Sequence, residues 1–234
     1  MIKELDFETY LYISKNKFQI FLIDKKKVKN LYIEELKVDH EFNFKDLNIL
    51  SNFLDKNIYT IEKLIGNFIK NIILIVEYEK NLKVTIGLKK KNYETQVNQK
   101  SFESHLTELK DLFKKNYQKL SIMHMCILNY IFDGKRYSSF DSKLFNDYFC
   151  VEVSFTAIDN KLVIAFNNVL EKYQIKIKQF MCGNYVKSFK SDINDEISIT
   201  AYKLKNGLNA NEVIIVPKYR ENKGFFEKFF QLFS

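Results

Sequence analysis

Tryptophan is absent from these 234 residues, proline occurs once, glycine six times and cysteine three times. Each scarcity excludes something. Cys126, Cys150 and Cys182 are isolated from one another and odd in number, which rules out a disulfide framework and a cysteine-built zinc site. His40, His105 and His124 stand far apart and lack metal-ligand spacing, so neither a metal nor a catalytic histidine is expected. The longest purely aliphatic run is Ile72 to Val76, far short of the roughly 20 residues a spanning helix needs. No apolar segment with a small-residue cleavage site follows Met1-Ile2-Lys3-Glu4. Nothing therefore directs export, and a cytoplasmic location is expected.

What is present is ordinary for a soluble protein: 46% hydrophobic and 28% charged residues, in a chain long enough for one large domain or two small ones. The net charge of +8 invites a nucleic-acid reading. The basic residues are mostly lysine, however, scattered among abundant Asn, Ile, Phe and Tyr, as the codons of an AT-rich genome would produce. Runs such as Lys25 to Lys27 and Lys89 to Lys91 follow strand-like segments and read as solvated turns. No arginine-rich helix or aromatic RNA-binding signature accompanies them, so no nucleic-acid partner is expected.

Hydrophobic periodicity places two strands over Glu8 to Asp24 with a turn at Ser14 to Lys17, and a third over Val28 to Val38. Phe44 to Phe53 and Ile58 to Ile69 read as two helices, followed by a strand pair, Asn71 to Glu79 and Leu82 to Leu88. A helix over Phe102 to Lys115 precedes a strand from Ile122 to Phe132, which ends in the turn signal Asp133-Gly134. Leu144 to Ile158 is strand again, Asp159-Asn160 caps a helix over Leu162 to Tyr173, and Ile175 to Met181 is a short strand. Ile193 to Leu204 reads as a helix stopped by Asn206-Gly207, and Val213 to Val216 as a last strand before Pro217. The class is α/β (α+β).

The final residues carry the sharpest signal. At about 100° per residue, Phe225, Phe226, Phe229, Phe230, Leu232 and Phe233 gather on one side of a helix, with Glu227, Lys228 and Gln231 opposite. Lys218, Arg220 and Lys223 precede it. Such a helix at a chain end suits a bilayer interface, with Lys223 and Lys228 facing anionic headgroups. The same stripe also suits a terminal helix packed on the domain.

The segment from Ile122 through His124 to Asp133-Gly134-Lys135 resembles a strand of FtsA, the actin-like adaptor that ties the bacterial tubulin-like division ring to the membrane. There the strand begins around Ile-Leu-His and ends in Asp-Gly-Gln. Leu144 to Asp159 resembles the next long strand of the same subdomain, and Val169 to Phe180 its last helix and strand. The tail resembles the family's C-terminal membrane-targeting helix, which its relative PilM lacks. The resemblance implies a reduced actin-like (ASKHA) fold with an FtsA-type 1C (SHS2-like) subdomain. It divides the chain into a 1A-like region at 1–98, a 1C-like region at 99–182 and a helix–strand remnant returning to the 1A-like lobe at 183–216. A linker at 217–223 and the amphipathic helix at 224–234 follow.

The family's first phosphate turn has the form Asp-Ile-Gly-Thr-Ser-Lys. The matching stretch here is Tyr12-Ile13-Ser14-Lys15-Asn16-Lys17, with Tyr12 in place of the Asp and Ser14 in place of the Gly. The Asp would position a metal-bound water and the Gly would let backbone N–H groups approach the phosphates. A second, glycine-run phosphate loop has no counterpart, since all six glycines are isolated. The resemblance therefore implies a pseudo-ATPase with no cofactor and no enzymatic activity. It implies a divisome adaptor at the cytoplasmic face of the bacterial inner membrane, at midcell. Its partners would be anionic lipid, division proteins including the tubulin-like ring protein, and further copies of itself. Two other readings stay open: a PilM-like cytoplasmic platform binding a peptide of a membrane protein, and a basic nucleic-acid-binding domain.

Overall fold

The computed structural model describes residues 6–38, 42–44, 46–91, 99–140, 148–192 and 194–213. The class is mixed α/β, in two compact units, 1–81 with 158–208 and 82–157 with 209–234.

The first unit is built on a five-stranded sheet. Strands β1 (Phe7–Ile13), β2 (Lys17–Asp24) and β3 (Lys29–Lys37) form an antiparallel meander, while β4 (Asn71–Val76) and β9 (Lys176–Cys182) run parallel to β1. The strand order across the sheet is β3-β2-β1-β4-β9. Tyr10 to Ile13 of β1 and Ile72 to Val76 of β4 are buried without interruption, as strands covered on both faces must be. On one face, Tyr10, Tyr12, Phe21, Ile23, Ile73, Ile75 and Met181 pack on α4 (Gly183–Lys187) and α5 (Ile197–Lys205). On the other lie α1 (Asn48–Ile65) and α3 (Asn160–Glu171), where Phe18 meets Phe53 and Phe166 meets Phe180.

The region expected to hold two helices holds one. No Gly or Pro interrupts 54–57, and Leu50, Phe53, Leu54, Asn57, Ile58 and Ile61 make a single buried stripe. Asn57 is tolerated there because its amide donates to the Phe53 carbonyl at 2.7 Å and accepts from the Tyr32 hydroxyl at 2.6 Å. Gly66, at φ 66°, ends the helix. The cap expected at Asp159 forms, its carboxylate accepting from the Lys161 N–H.

The second unit is a four-stranded sheet, β5 (Leu82–Lys91), β8 (Tyr148–Asp159), β6 (Leu120–Phe132) and β7 (Lys135–Tyr137), in that order. Helix α2 (Gln99–Asn116) supplies Phe102, Leu106, Leu109 and Phe113 to a core completed by Phe149, Val151, Val153 and Phe155 of β8. Asp133 and Gly134, both at positive φ (48° and 75°), make the tight β6–β7 turn.

Three expectations need correction. β4 and β5 do not pair: β1 and β9 occupy both edges of β4, and β5 lies against β8. The 1–98 and 99–182 boundaries shift, since β5 belongs to the second sheet and β9, entering from α3, to the first. The segment 183–216 does not return as one piece to the first unit. α4 and α5 remain there, but Glu212 bridges to Cys126 in the second unit. The short helix α4 was not anticipated, and Ile193, expected to open α5, lies outside the described residues.

Candidate functional site

Parallel strands in register bring their carboxyl ends to one line, the usual place for a ligand in an α/β sheet. In the first unit Ile13 pairs with Val76, and Val76 with Cys182. The residues that follow, Ser14, Glu77 and Gly183, are therefore neighbours, and the Glu77 N–H donates to the Ile13 carbonyl at 2.8 Å.

A closed polar cluster occupies this position. The Tyr12 hydroxyl donates to Glu77 Oε2, and Lys187 Nζ of α4 binds the same oxygen at 2.6 Å. Burial pushes the Glu77 carboxyl up, but the Lys187 and Tyr12 bonds outweigh it and hold it below the usual carboxylate range. Burial pushes the Lys187 ammonium down, and its bonds to Glu77 and Tyr12 bring it above its ordinary value. Tyr12 is raised by burial and by donation to Glu77. The Lys187 and Lys17 ammonium groups lie 5.6 and 5.9 Å from the Tyr12 ring centre. Gly183 allows the close approach: a Cβ there would stand 3.0 Å from Glu77 Cβ and 3.2 Å from its backbone.

The adjoining turn is satisfied internally. The Ser14 N–H donates to the Lys17 carbonyl at 3.0 Å, and the Lys17 N–H donates to Ser14 Oγ at 3.2 Å. The Ser14 hydroxyl, buried, shares its proton between Asn16 Oδ1 and the Lys17 carbonyl. Lys15 pairs with Glu79 at 2.8 Å and Lys17 with Glu35 at 3.2 Å. An anion cradle needs N–H groups and cations pointing outward together. Here the Ser14 and Lys17 N–H groups and both lysines are turned to partners within the chain.

Of the residues the sequence singled out, Tyr12 lies in the strand-end cluster, while Ser14, Lys15, Asn16 and Lys17 form the adjoining turn. Glu77, Gly183 and Lys187, which complete the cluster, were missed. An acidic residue directly after the apolar run of β4 was the available signal for Glu77. His124 is buried in β6, its Nδ1 2.7 Å from Glu212 Oε1, and His40 lies outside the described residues. No group of three His, Cys, Asp or Glu side chains converges among the described residues.

Phe225, Phe226, Phe229, Phe230, Leu232, Phe233, Lys223 and Lys228 also lie outside the described residues. The chain leading to them is anchored in the second unit. The Ile127 N–H donates to the Asn211 carbonyl and the Val213 N–H to the Met125 carbonyl, both at 2.8 Å. Val213 adds its side chain to the core there. No helix among the described residues is long and apolar enough to cross a membrane.

No protein-family model matches this chain, and no curated protein matches it. Solved structures do. One is the cytoplasmic domain of EpsL, an inner membrane component of the type II secretion system of Vibrio cholerae, at 8% identity and a TM-score of 0.34 over 80% of this chain and 59% of that one. A Bacteroides thetaiotaomicron protein with an actin-like ATPase fold and unknown function is 15% identical, with a TM-score of 0.34 over 79% and 55%. The PilM–PilN type IV pilus biogenesis complex gives 7% identity and a TM-score of 0.43 over 76% and 48%. The chain spans about half to three-fifths of the length of these structures.

Proposed function

We propose that this chain is a non-enzymatic adaptor holding a protein assembly at the cytoplasmic face of a bacterial inner membrane, in the manner of a shortened FtsA. The observation that carries the reading is the C-terminal stripe, five Phe and one Leu on one helical face beside Lys223 and Lys228. A fully buried large apolar side chain contributes roughly 1.5–3 kcal/mol. Partial immersion, helix ordering and lost free translation offset much of this, and each nearby lysine adds at most about 1 kcal/mol on anionic lipid. One tail therefore binds weakly and reversibly, while several tails on one assembly bind far more tightly through effective concentration.

The strand-end cluster supports the non-enzymatic part. Tyr12, Glu77 and Lys187 satisfy one another beside the turn that the FtsA resemblance would make a phosphate site. The folded body then offers contacts to partners and to further copies without a nucleotide cycle. Division proteins, including the tubulin-like ring protein, are the partners the FtsA resemblance names.

Sedimentation with phosphatidylglycerol-containing vesicles tests the membrane step. The intact chain pellets, and removing residues 224–234 lowers its affinity at least tenfold; unchanged pelleting would sink the reading. A fluorescent fusion tests the finer assignment. A midcell band supports the division role, whereas foci at the poles point to a secretion- or pilus-type platform.

A further inference from the structure

The approach to the C-terminal tail runs along the edge of a strand. In the second unit β8 takes one edge of β6 and β7 the other. β7 covers only Tyr130 to Phe132 of a strand 13 residues long. Nearer its start, β6 meets the chain a second time. The Ile127 N–H donates to the Asn211 carbonyl and the Val213 N–H to the Met125 carbonyl, with Glu212 opposite Cys126 in an antiparallel bridge. Met125, Ile127, Tyr130 and Phe132 all belong to the core cluster. In an antiparallel strand, residues facing the same way turn their backbone groups to the same edge. Asn211 to Val213 therefore share the edge that β7 uses.

Side chains fix the register of this pairing. Glu212 Oε1 lies 2.7 Å from Nδ1 of His124, whose side chain is buried, and Val213 packs against the core cluster that holds Met125 and Ile127. A slip by one residue would turn Glu212 into the core and Val213 out of it. Among the described residues no strand continues along this edge from Met125 toward Leu120. An edge of N–H and C=O groups is a template for an added strand.

The chain that follows Val213 is Ile214-Ile215-Val216-Pro217, which lies outside the described residues. It arrives already paired, so no loop has to close before it can add to the edge. Three β-branched residues suit a strand, and a proline without an N–H suits its end. The register of Glu212 opposite Cys126 carries forward to Ile214 opposite His124 and Ile215 opposite Met123.

We propose that the edge of β6 at Met123 is a strand-docking site, and that its occupant is residues 214–216 of the same chain, extending the second sheet as far as Pro217. Pro217 and Gly224 are seven residues apart, at most about 25 Å of extended chain. The tail is thereby tethered closely to the second unit. That consequence rests on the proposed membrane role, whereas the strand itself does not. The test uses the full-length chain with Cys126→Ala, Cys150→Ala and Cys182→Ala. To this is added Met123→Cys with Ile215→Cys, or Met123→Cys with Ile214→Cys as the out-of-register control. Opposed residues of a hydrogen-bonded pair have Cα atoms about 5.5 Å apart, within disulfide range, whereas position 214 points to the other face. The expected result on a non-reducing gel is an intramolecular disulfide that forms at least about tenfold faster in the 123/215 pair than in the control. Equal rates, no disulfide, or a disulfide-linked dimer overturns the docking, the dimer in favour of the strand of a second copy. Hydrogen exchange on the unmodified chain is a second reading that needs no cysteine. The Ile215 amide should exchange at least about tenfold more slowly than in a free peptide, and exchange at the free-peptide rate overturns the strand. Neither readout requires membrane binding, so vesicle pelleting unchanged by removal of residues 224–234 would sink the membrane role and leave this strand standing.

Discussion

Replacing Tyr12 by Phe deletes one oxygen from the strand-end cluster and leaves its ring in the core, so the variant isolates the Tyr12–Glu77 hydrogen bond. A hydrogen bond to a charged group contributes roughly 1.5–3 kcal/mol. Glu77 retains Lys187, and its side chain is 27% exposed, so water replaces part of the loss. The expected cost is therefore about 1–2 kcal/mol. Lys187→Met removes an ammonium that is 45% exposed, and screening at that exposure limits its cost to about 1 kcal/mol. In a Glu77→Gln background the ammonium has lost its charged partner, and Lys187→Met should then cost almost nothing. The cycle thus predicts a coupling of about 1 kcal/mol between Glu77 and Lys187.

Native-state hydrogen exchange on peptides covering β1 and β4 is the suitable assay, because it reads opening of the first unit without assuming that both units unfold together. The acid dependence has a definite sign. Glu77 is held below its ordinary value of 4.5, so its contribution is complete above that pH and disappears as pH falls through the lowered value. Lys187 is raised above 10.5, so its contribution is complete below that pH and is lost as pH rises through the raised value. The Tyr12→Phe cost must therefore shrink in acid. A Tyr12→Phe variant as stable as the parent at pH 7 would refute the cluster as a stabilising unit. So would a Lys187→Met cost that is identical with Glu and with Gln at position 77.

Gly183→Ala places a Cβ 3.0 Å from Glu77 Cβ and 3.2 Å from backbone atoms that cannot rotate away. It should destabilise the first unit by about 1–3 kcal/mol, read as a lower urea midpoint. Calorimetric titration with Mg-ATP should give no binding heat, since the Ser14 and Lys17 N–H groups and both turn lysines already have partners. A micromolar dissociation constant would overturn the pseudo-ATPase reading.

How far the sequence could be read follows from how local each determinant is. The β1–β2 turn, the Asp159 cap and the Asp133-Gly134 turn are each set by a few adjacent residues, and each was anticipated. The single helix α1 was not, because Asn57 breaks the apolar pattern and its buried partners, Phe53 and Tyr32, become visible only in the fold. Partner choice for β4 and β5 was misread for a related reason. Adjacency suggests a hairpin, whereas the uninterrupted burial of Ile72 to Val76 marks a strand covered on both faces, and both of its edges are taken by β1 and β9. The Glu77–Lys187 pair spans 110 positions, and no periodicity connects its members.

The same cluster bears on whether the first unit can switch. A ligand bound at the carboxyl ends of parallel strands can shift a unit between conformations only through its different affinity for each. Here the groups that would report such a ligand already bind one another. Tyr12 belongs to β1, Glu77 follows β4, and Lys187 ends α4, which begins directly after β9. One carboxylate oxygen therefore joins the ends of the three parallel strands, and Gly183 brings the start of α4 against the Glu77 backbone. Opening this arrangement exchanges the Tyr12–Glu77 and Lys187–Glu77 bonds for water, at a cost of the order derived above for the single variants, about 1–2 kcal/mol. On the proposed reading the cluster biases the unit toward this one arrangement, and membrane occupancy follows the number of tails brought together rather than the phase of a nucleotide cycle.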